Sequence, residues 1–137
     1  MPGMRQMPQH QIDPEGRPYD PAGLPRKQDV DGPAFFAIDL RSGVVTAVEP
    51  FPEARKPALK IEVDFGPVVG RLWSSAQITN YEAGELLGRM VVGAINLGER
   101  RIAGFRSQFL VLGALDPDGT VRLLELPDGV EPGSVIA

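Results

Sequence analysis

Three arginines, Arg100, Arg101 and Arg106, stand within seven positions of one another in a segment that also holds Gly98 and Gly104. A guanidinium presents a planar fork of N–H donors matched to phosphate and carboxylate oxygens. Three of them in a compact loop repel one another, and an anionic partner relieves the repulsion. The chemistry such a segment offers is therefore binding; a merely solvated loop is the plain alternative, since surface loops carry charge routinely. Groups that make or break bonds are scarce elsewhere. The 137 residues contain no cysteine and one histidine, His10. Thiolate ligands, disulfides and cysteine nucleophiles are excluded, and Ser74 and Ser75 have no histidine to activate them. There is no Gly-x-x-x-x-Gly-Lys loop, and Asp39, Glu62, Asp64 and Glu82 follow no known metal-loop spacing. The sequence thus predicts no enzyme, no cofactor and no metal.

The arginines must be held by the elements around them. Met90–Leu97 is a continuous apolar run of strand length, Phe109–Leu112 is another, and the basic loop joins them. A second basic loop carries Arg55 and Lys56 among Pro50, Pro52 and Pro57, which stiffen it and reduce the entropy lost on engaging a partner. A strand over Arg71–Ile78 carries Trp73, Ser75 and Gln77. Alternation sets Trp73 on the face opposite Ala76 and Ile78, either packed or exposed as a platform for bases or peptides. Upstream, Phe35–Val48 reads as a long first strand with a bend or bulge at Ser42-Gly43. Leu59, Ile61, Val63 and Phe65 alternate with Lys60, Glu62 and Asp64 as a half-buried strand. Thr79 or Asn80 can cap a short helix that runs to Leu87 and stops at Gly88. Asp116-Pro117-Asp118-Gly119 is a turn leading into a last strand, Val121–Leu126. The order predicts an all-β fold: a five-stranded OB-fold barrel with one short helix after strand 3 and an extra C-terminal strand. A β-sandwich with a stray helix gives a similar pattern.

Composition sets the bounds. Residues 1–33 hold seven of the 14 prolines and few large apolar side chains, so they are expected to form a disordered or extended tail ahead of one domain over residues 34–137. The net charge of −4 disfavours bulk attraction to nucleic acid. The acid is uneven, however, with Asp116, Asp118, Glu125, Asp128 and Glu131 set against Arg122 near the C-terminus, which leaves room for a local basic face. No apolar run approaches the roughly 20 residues of a membrane span, and the first residues carry no export signal. A cytoplasmic protein without membrane insertion is expected.

Five blocks carry a resemblance: Asp39-Leu40-Arg41-Ser42-Gly43, Pro52-Glu53-Ala54-Arg55-Lys56-Pro57-Ala58, Val63-Asp64-Phe65-Gly66-Pro67, Ser74-Ser75-Ala76-Gln77-Ile78 and Arg101-Ile102-Ala103-Gly104-Phe105-Arg106-Ser107. With Asn96, Arg100, Leu110 and Leu112, they resemble the tRNA-binding-domain family. That family includes the EMAP-type domains, C-terminal domains of some methionyl-tRNA synthetases and the CsaA-type secretion chaperones, the last being the most similar branch. Two departures stand out: Gly98-Glu99 replaces expected prolines, which would loosen the loop presenting Arg100, and the proline-rich tail is unusually long. The resemblance implies a homodimeric OB-fold that recognises tRNA or unfolded polypeptide without chemistry. The C-terminal run Val121–Ile136 would cover a neighbouring subunit. The leading expectation is a chaperone for unfolded or preprotein clients in secretion, with tRNA-binding capacity. The alternatives are a tRNA-binding module acting in translation and a generic assembly module. The expected ligand-contacting residues are Arg55, Lys56, Trp73, Ser75, Gln77, Asn96, Arg100, Arg101, Arg106 and Ser107.

Overall fold

The computed structural model describes residues 19–137. Most of the expected tail, His10 included, lies outside the described residues, and residues 19–31 carry neither helix nor strand. The first element is α1 (Gly32–Phe36), where a strand was expected from Phe35. Pro33 fixes φ in the first helical turn. Phe35 and Phe36 are both exposed, so neither belongs to a buried strand face. The strand begins later, as β1 (Leu40–Pro50), and β2 (Leu59–Asp64), α2 (Gly66–Val69) and β3 (Arg71–Ala76) follow. Next come α3 (Ala83–Leu86), β4 (Met90–Ala94), β5 (Arg100–Ile102), β6 (Phe105–Ser107), β7 (Leu110–Val111), β8 (Gly113–Leu115) and β9 (Val121–Leu123).

Five of these strands make one antiparallel sheet in the order β3-β2-β1-β4-β7, curled into a nearly closed barrel, and β9 is the expected additional strand, paired with β8. The long β1 makes the curl. Val44–Pro50 pairs with β2 while Leu40–Val44 pairs with β4, and the bulge lies between Val45 and Ala47. It had been expected at Ser42-Gly43. Gly43 serves a different need, because a Cβ there would overlap the Val63 side chain, so its absence lets the sheet fold closely on itself.

The alternating face of β2 points inward as expected, with Ile61, Val63 and Phe65 buried beside Val45, Val91 and Phe109. The Phe65 and Phe109 rings meet edge to face at 5.0 Å. The helix after β3 buries Leu86 completely. Its N-terminus is closed by a Glu82–Glu85 capping box; Asn80, read as a cap, instead donates to the Val121 carbonyl at 3.0 Å. That bond and the one from the Leu123 amide to the Tyr81 hydroxyl fasten β9 to the helix region.

Two seams complete the fold. Between β3 and residues 107–109 the barrel closes through one backbone bond and several side chains. The Gln108 amide donates to the Trp73 carbonyl at 2.7 Å, the Trp73 amide to Gln108 Oε1, the Ser75 amide to Ser107 Oγ, and Ser74 Oγ to the Phe109 carbonyl. At the other seam the C-terminal segment lies along Leu40–Ser42, with the Ser42 amide donating to Ser134 O and the Ile136 amide to Leu40 O. Within the chain, then, the run expected to cover a partner packs on its own barrel, although Val135 remains exposed.

Candidate ligand-binding surface

The basic loop is a hairpin. In β5 and β6, Arg100 faces Ser107, Arg101 faces Arg106 and Ile102 faces Phe105. The two-residue turn uses Ala103 at φ 48° and Gly104 at φ 82°, the positive-φ pair that suits the twist of a tight hairpin. Alanine there stores roughly 1–2 kcal/mol of backbone strain that glycine would not. Arg101 and Arg106 oppose each other directly, an arrangement of like charges that destabilises a strand pair. Glu99 relieves it. Arg106 Nε donates to Glu99 Oε1 at 3.2 Å, and its Nη2 pairs with Oε2. The hydrogen bonds from Arg106 hold the Glu99 carboxyl below the usual carboxylate range. The residue expected to loosen the loop therefore clamps it.

On one side of this hairpin lies a cleft of about 690 Å³, bounded opposite by the proline-stiffened loop and lined by Arg55, Lys56, Ser75, Gln77, Arg100 and Arg101. Glu53 is the acid on its wall. Elsewhere Arg41 pairs with Asp39 at 2.7 Å, Arg122 with Asp116 at 3.0 Å and Arg106 with Glu99, while Arg89 lies over the Tyr81 ring. Arg55, Lys56, Arg100 and Arg101 form no ion pair among the described residues. Arg101 donates a long bond of 3.4 Å to the Gly104 carbonyl. Four cations thus line one cavity without an ion-pair partner.

On the hairpin's other side is a shallower hollow of about 370 Å³ bordered by Lys60, Trp73, Arg101, Phe105, Arg106 and Gln108, with Glu49 at its edge. The Phe105 ring meets Phe51 at 5.4 Å and Trp73 at 6.1 Å, both edge to face. Lys60 Nζ sits 4.7 Å from the Phe51 ring and 4.9 Å from the Phe105 ring, so cation–π attraction ties β2 to the hairpin.

The ten expected residues therefore fall into three groups. Six line the cleft. Trp73 and Arg106 border the hollow. The remaining two line neither: Ser107 is 1% exposed in the barrel closure, and both ends of the Asn96 amide are engaged by backbone, Oδ1 by the Asp39 amide at 2.7 Å and Nδ2 by the Ala37 carbonyl at 2.8 Å. Lys60 and Phe105 were not foreseen. The alternation marks Lys60 only as outward, and its place beside the site follows from its register partner Ser75, which no local pattern reveals. Among the described residues no cluster of three or more His, Cys, Asp or Glu could hold a metal, and no helix is long and apolar enough to cross a membrane.

Known proteins resemble this chain in sequence and fold. The family described as "Putative tRNA binding domain" matches residues 40–135. A CsaA chaperone protein from Picrophilus torridus is 45% identical with a TM-score of 0.75, over 80% of this chain and 100% of that one. The chaperone CsaA from Bacillus anthracis is 38% identical with a TM-score of 0.72 over the same shares. Methionine–tRNA ligase of Porphyromonas gingivalis is 33% identical over 82% of this chain, which spans only 16% of that enzyme's length. These matches are to binding modules, and the ligase match touches only a small portion of the enzyme. From one end of the barrel to the other, this chain belongs to the tRNA-binding-domain family, as an OB-fold protein of the CsaA type.

Proposed function

We propose that the chain is a non-enzymatic RNA-binding module that takes tRNA across the cleft between the proline-stiffened loop and the β5–β6 hairpin. One observation carries the reading: Arg55, Lys56, Arg100 and Arg101 converge there without ion pairs, whereas Arg41, Arg106 and Arg122 are each held by a carboxylate. Unpaired guanidinium and ammonium groups gain most from phosphate oxygens, because releasing the counterions of the polyanion adds to the contact itself. The face of strands 2 and 3 of an OB-fold, with the loops joining strands 1 to 2 and 4 to 5, is also where oligonucleotides bind in general, and the two loops of this cleft hold those two positions. The matched family's description and the likeness to methionine–tRNA ligase support the same partner.

A second reading, a chaperone for unfolded polypeptides or preproteins in secretion, is favoured by the 45% identity to a CsaA chaperone over all of that chain. In this reading the same cations rim a polypeptide groove. Either role fits a cytoplasmic homodimer. The exposed Phe35, Phe36, Ile38 and Val135 are the apolar side chains that such an assembly would cover.

Titrating the protein with labelled bulk tRNA at several salt concentrations tests the first reading. Micromolar or tighter binding, with a salt slope of several ions, is expected. Weak or absent binding at physiological salt, together with suppressed aggregation of a denatured client, would refute it in favour of the second.

A further inference from the structure

The hollow beside the cleft has a composition that phosphate binding alone does not call for. Its floor is aromatic, its rim carries Lys60, Arg101 and Arg106, and Glu49 is the acid on its wall. We propose that this hollow is a subsite for one unpaired nucleotide of an RNA strand, the base stacking on the Trp73–Phe105 floor while the flanking phosphates reach Arg101 and the cleft beyond it. The proposal rests on the RNA-binding reading above and deepens it: it makes the chain a reader of single-stranded or splayed bases as well as of backbone charge.

Four features support this. The volume of about 370 Å³ lies at the lower end of the range for small-molecule sites, enough for one base but not for a paired helix. The floor is rigid before any ligand arrives. Trp73 is bonded through both its amide and its carbonyl to Gln108, and Phe105 is wedged between Phe51, Trp73 and Lys60. A platform already fixed loses little conformational entropy on binding. Every base has an aromatic face, so such a platform serves any unpaired nucleotide, whereas bases locked in an A-form helix cannot reach it. Finally, Arg101 borders both cavities, so one strand can run from the hollow into the cleft without leaving cationic surface.

Trp73 is the sole tryptophan of the chain, and its fluorescence reports on this place alone. The protein is titrated with a short unstructured oligouridylate and, separately, with a fully paired RNA duplex of the same length, following anisotropy of the RNA and emission of Trp73 together. Oligouridylate is expected to quench Trp73 as it binds, and duplex to bind without comparable quenching. Trp73→Leu should weaken oligouridylate binding roughly 5- to 150-fold, more than duplex binding. Phe105→Leu, which keeps the reporter, should weaken it in the same sense; far-UV circular dichroism establishes that both variants fold. Oligouridylate binding that leaves emission unmoved and survives both substitutions would overturn the subsite while the cleft stands. Absence of binding by either RNA at physiological salt would overturn both. Quenching by an acidic phenylalanine-containing peptide but not by oligouridylate would overturn the subsite in favour of a polypeptide one.

Discussion

The barrel carries two small hairpins, each made of three-residue strands and each bearing arginine, and they differ in what they do with it. In β8–β9, Val121 and Leu123 are buried in the core and the outward Arg122 is held by Asp116. In β5–β6, the side chain set deepest is Ser107, and the rest are half-buried or exposed. Arg100 and Arg101 keep their charge unpaired, and the turn runs through a strained alanine. The first hairpin derives its stability from the core and offers a partner little. The second is held by an aromatic wedge and one glutamate, and offers its charge outward. Elements serving a ligand are commonly drawn from the less stable parts of a fold, and here the two kinds sit side by side.

The contrast can be broken at several points. Leu123→Ala should have the largest effect, lowering stability by about 2–5 kcal/mol in chemical denaturation while tRNA affinity below the melting temperature holds. If that substitution weakens binding as strongly as it weakens folding, the separation of roles is wrong. Reversing Arg55, Arg100 and Arg101 together to glutamate should do the opposite. The salt slope of tRNA binding should fall by about three ions, with the melting temperature little changed.

Glu99→Gln should sharpen the difference. It frees Arg106 and leaves its repulsion with Arg101 unrelieved, so tRNA should bind severalfold tighter, with a slope steeper by about one ion, and the hairpin amides should exchange faster. The pH dependence follows from the same pair. The Glu99 pKa is lowered by Arg106, so its stabilisation is present above the ordinary carboxylate range and is lost only as pH falls through the depressed value. Stability measured around neutrality should show no titration from this pair. Ala103→Asn, which tolerates positive φ, should stabilise by roughly 1 kcal/mol in chemical denaturation. The smallest effect belongs to Arg122→Gln, whose solvent-exposed pair should be felt in neither melting nor binding.

What the chain displays of this in advance is what local pattern can carry. The alternation from Leu59 to Phe65, the Asp116–Gly119 turn and the short helix after the third strand all declare themselves, because strand period and turn chemistry are local. Arg55, Lys56, Arg100 and Arg101 are visible as two basic loops, and the fold brings them to one cleft. Outcomes that depend on contacts distant in sequence are not legible in this way. The bond of Ser107 to β3, and the engagement of the Asn96 amide by Ala37 and Asp39, emerge only in the fold. Phe35–Ile38 reads as strand because apolar alternation is indifferent to whether a sheet is within reach. Lys60 and Phe105 are invisible for the same reason, since each matters only through a neighbour supplied by another strand.

The strap at the C-terminus has a consequence beyond shape. Along Leu40–Ser42, residues 133–136 occupy backbone donors and acceptors that β2, paired farther along β1, does not reach. Without the strap those groups would form an open edge beside exposed Phe36 and Ile38, the sort of surface on which another chain can add a strand. Proteolytic trimming there would then show first as turbidity in concentrated solution, well before any lost affinity for a ligand. Those few residues guard the colloidal stability of a protein whose binding surface is on other elements.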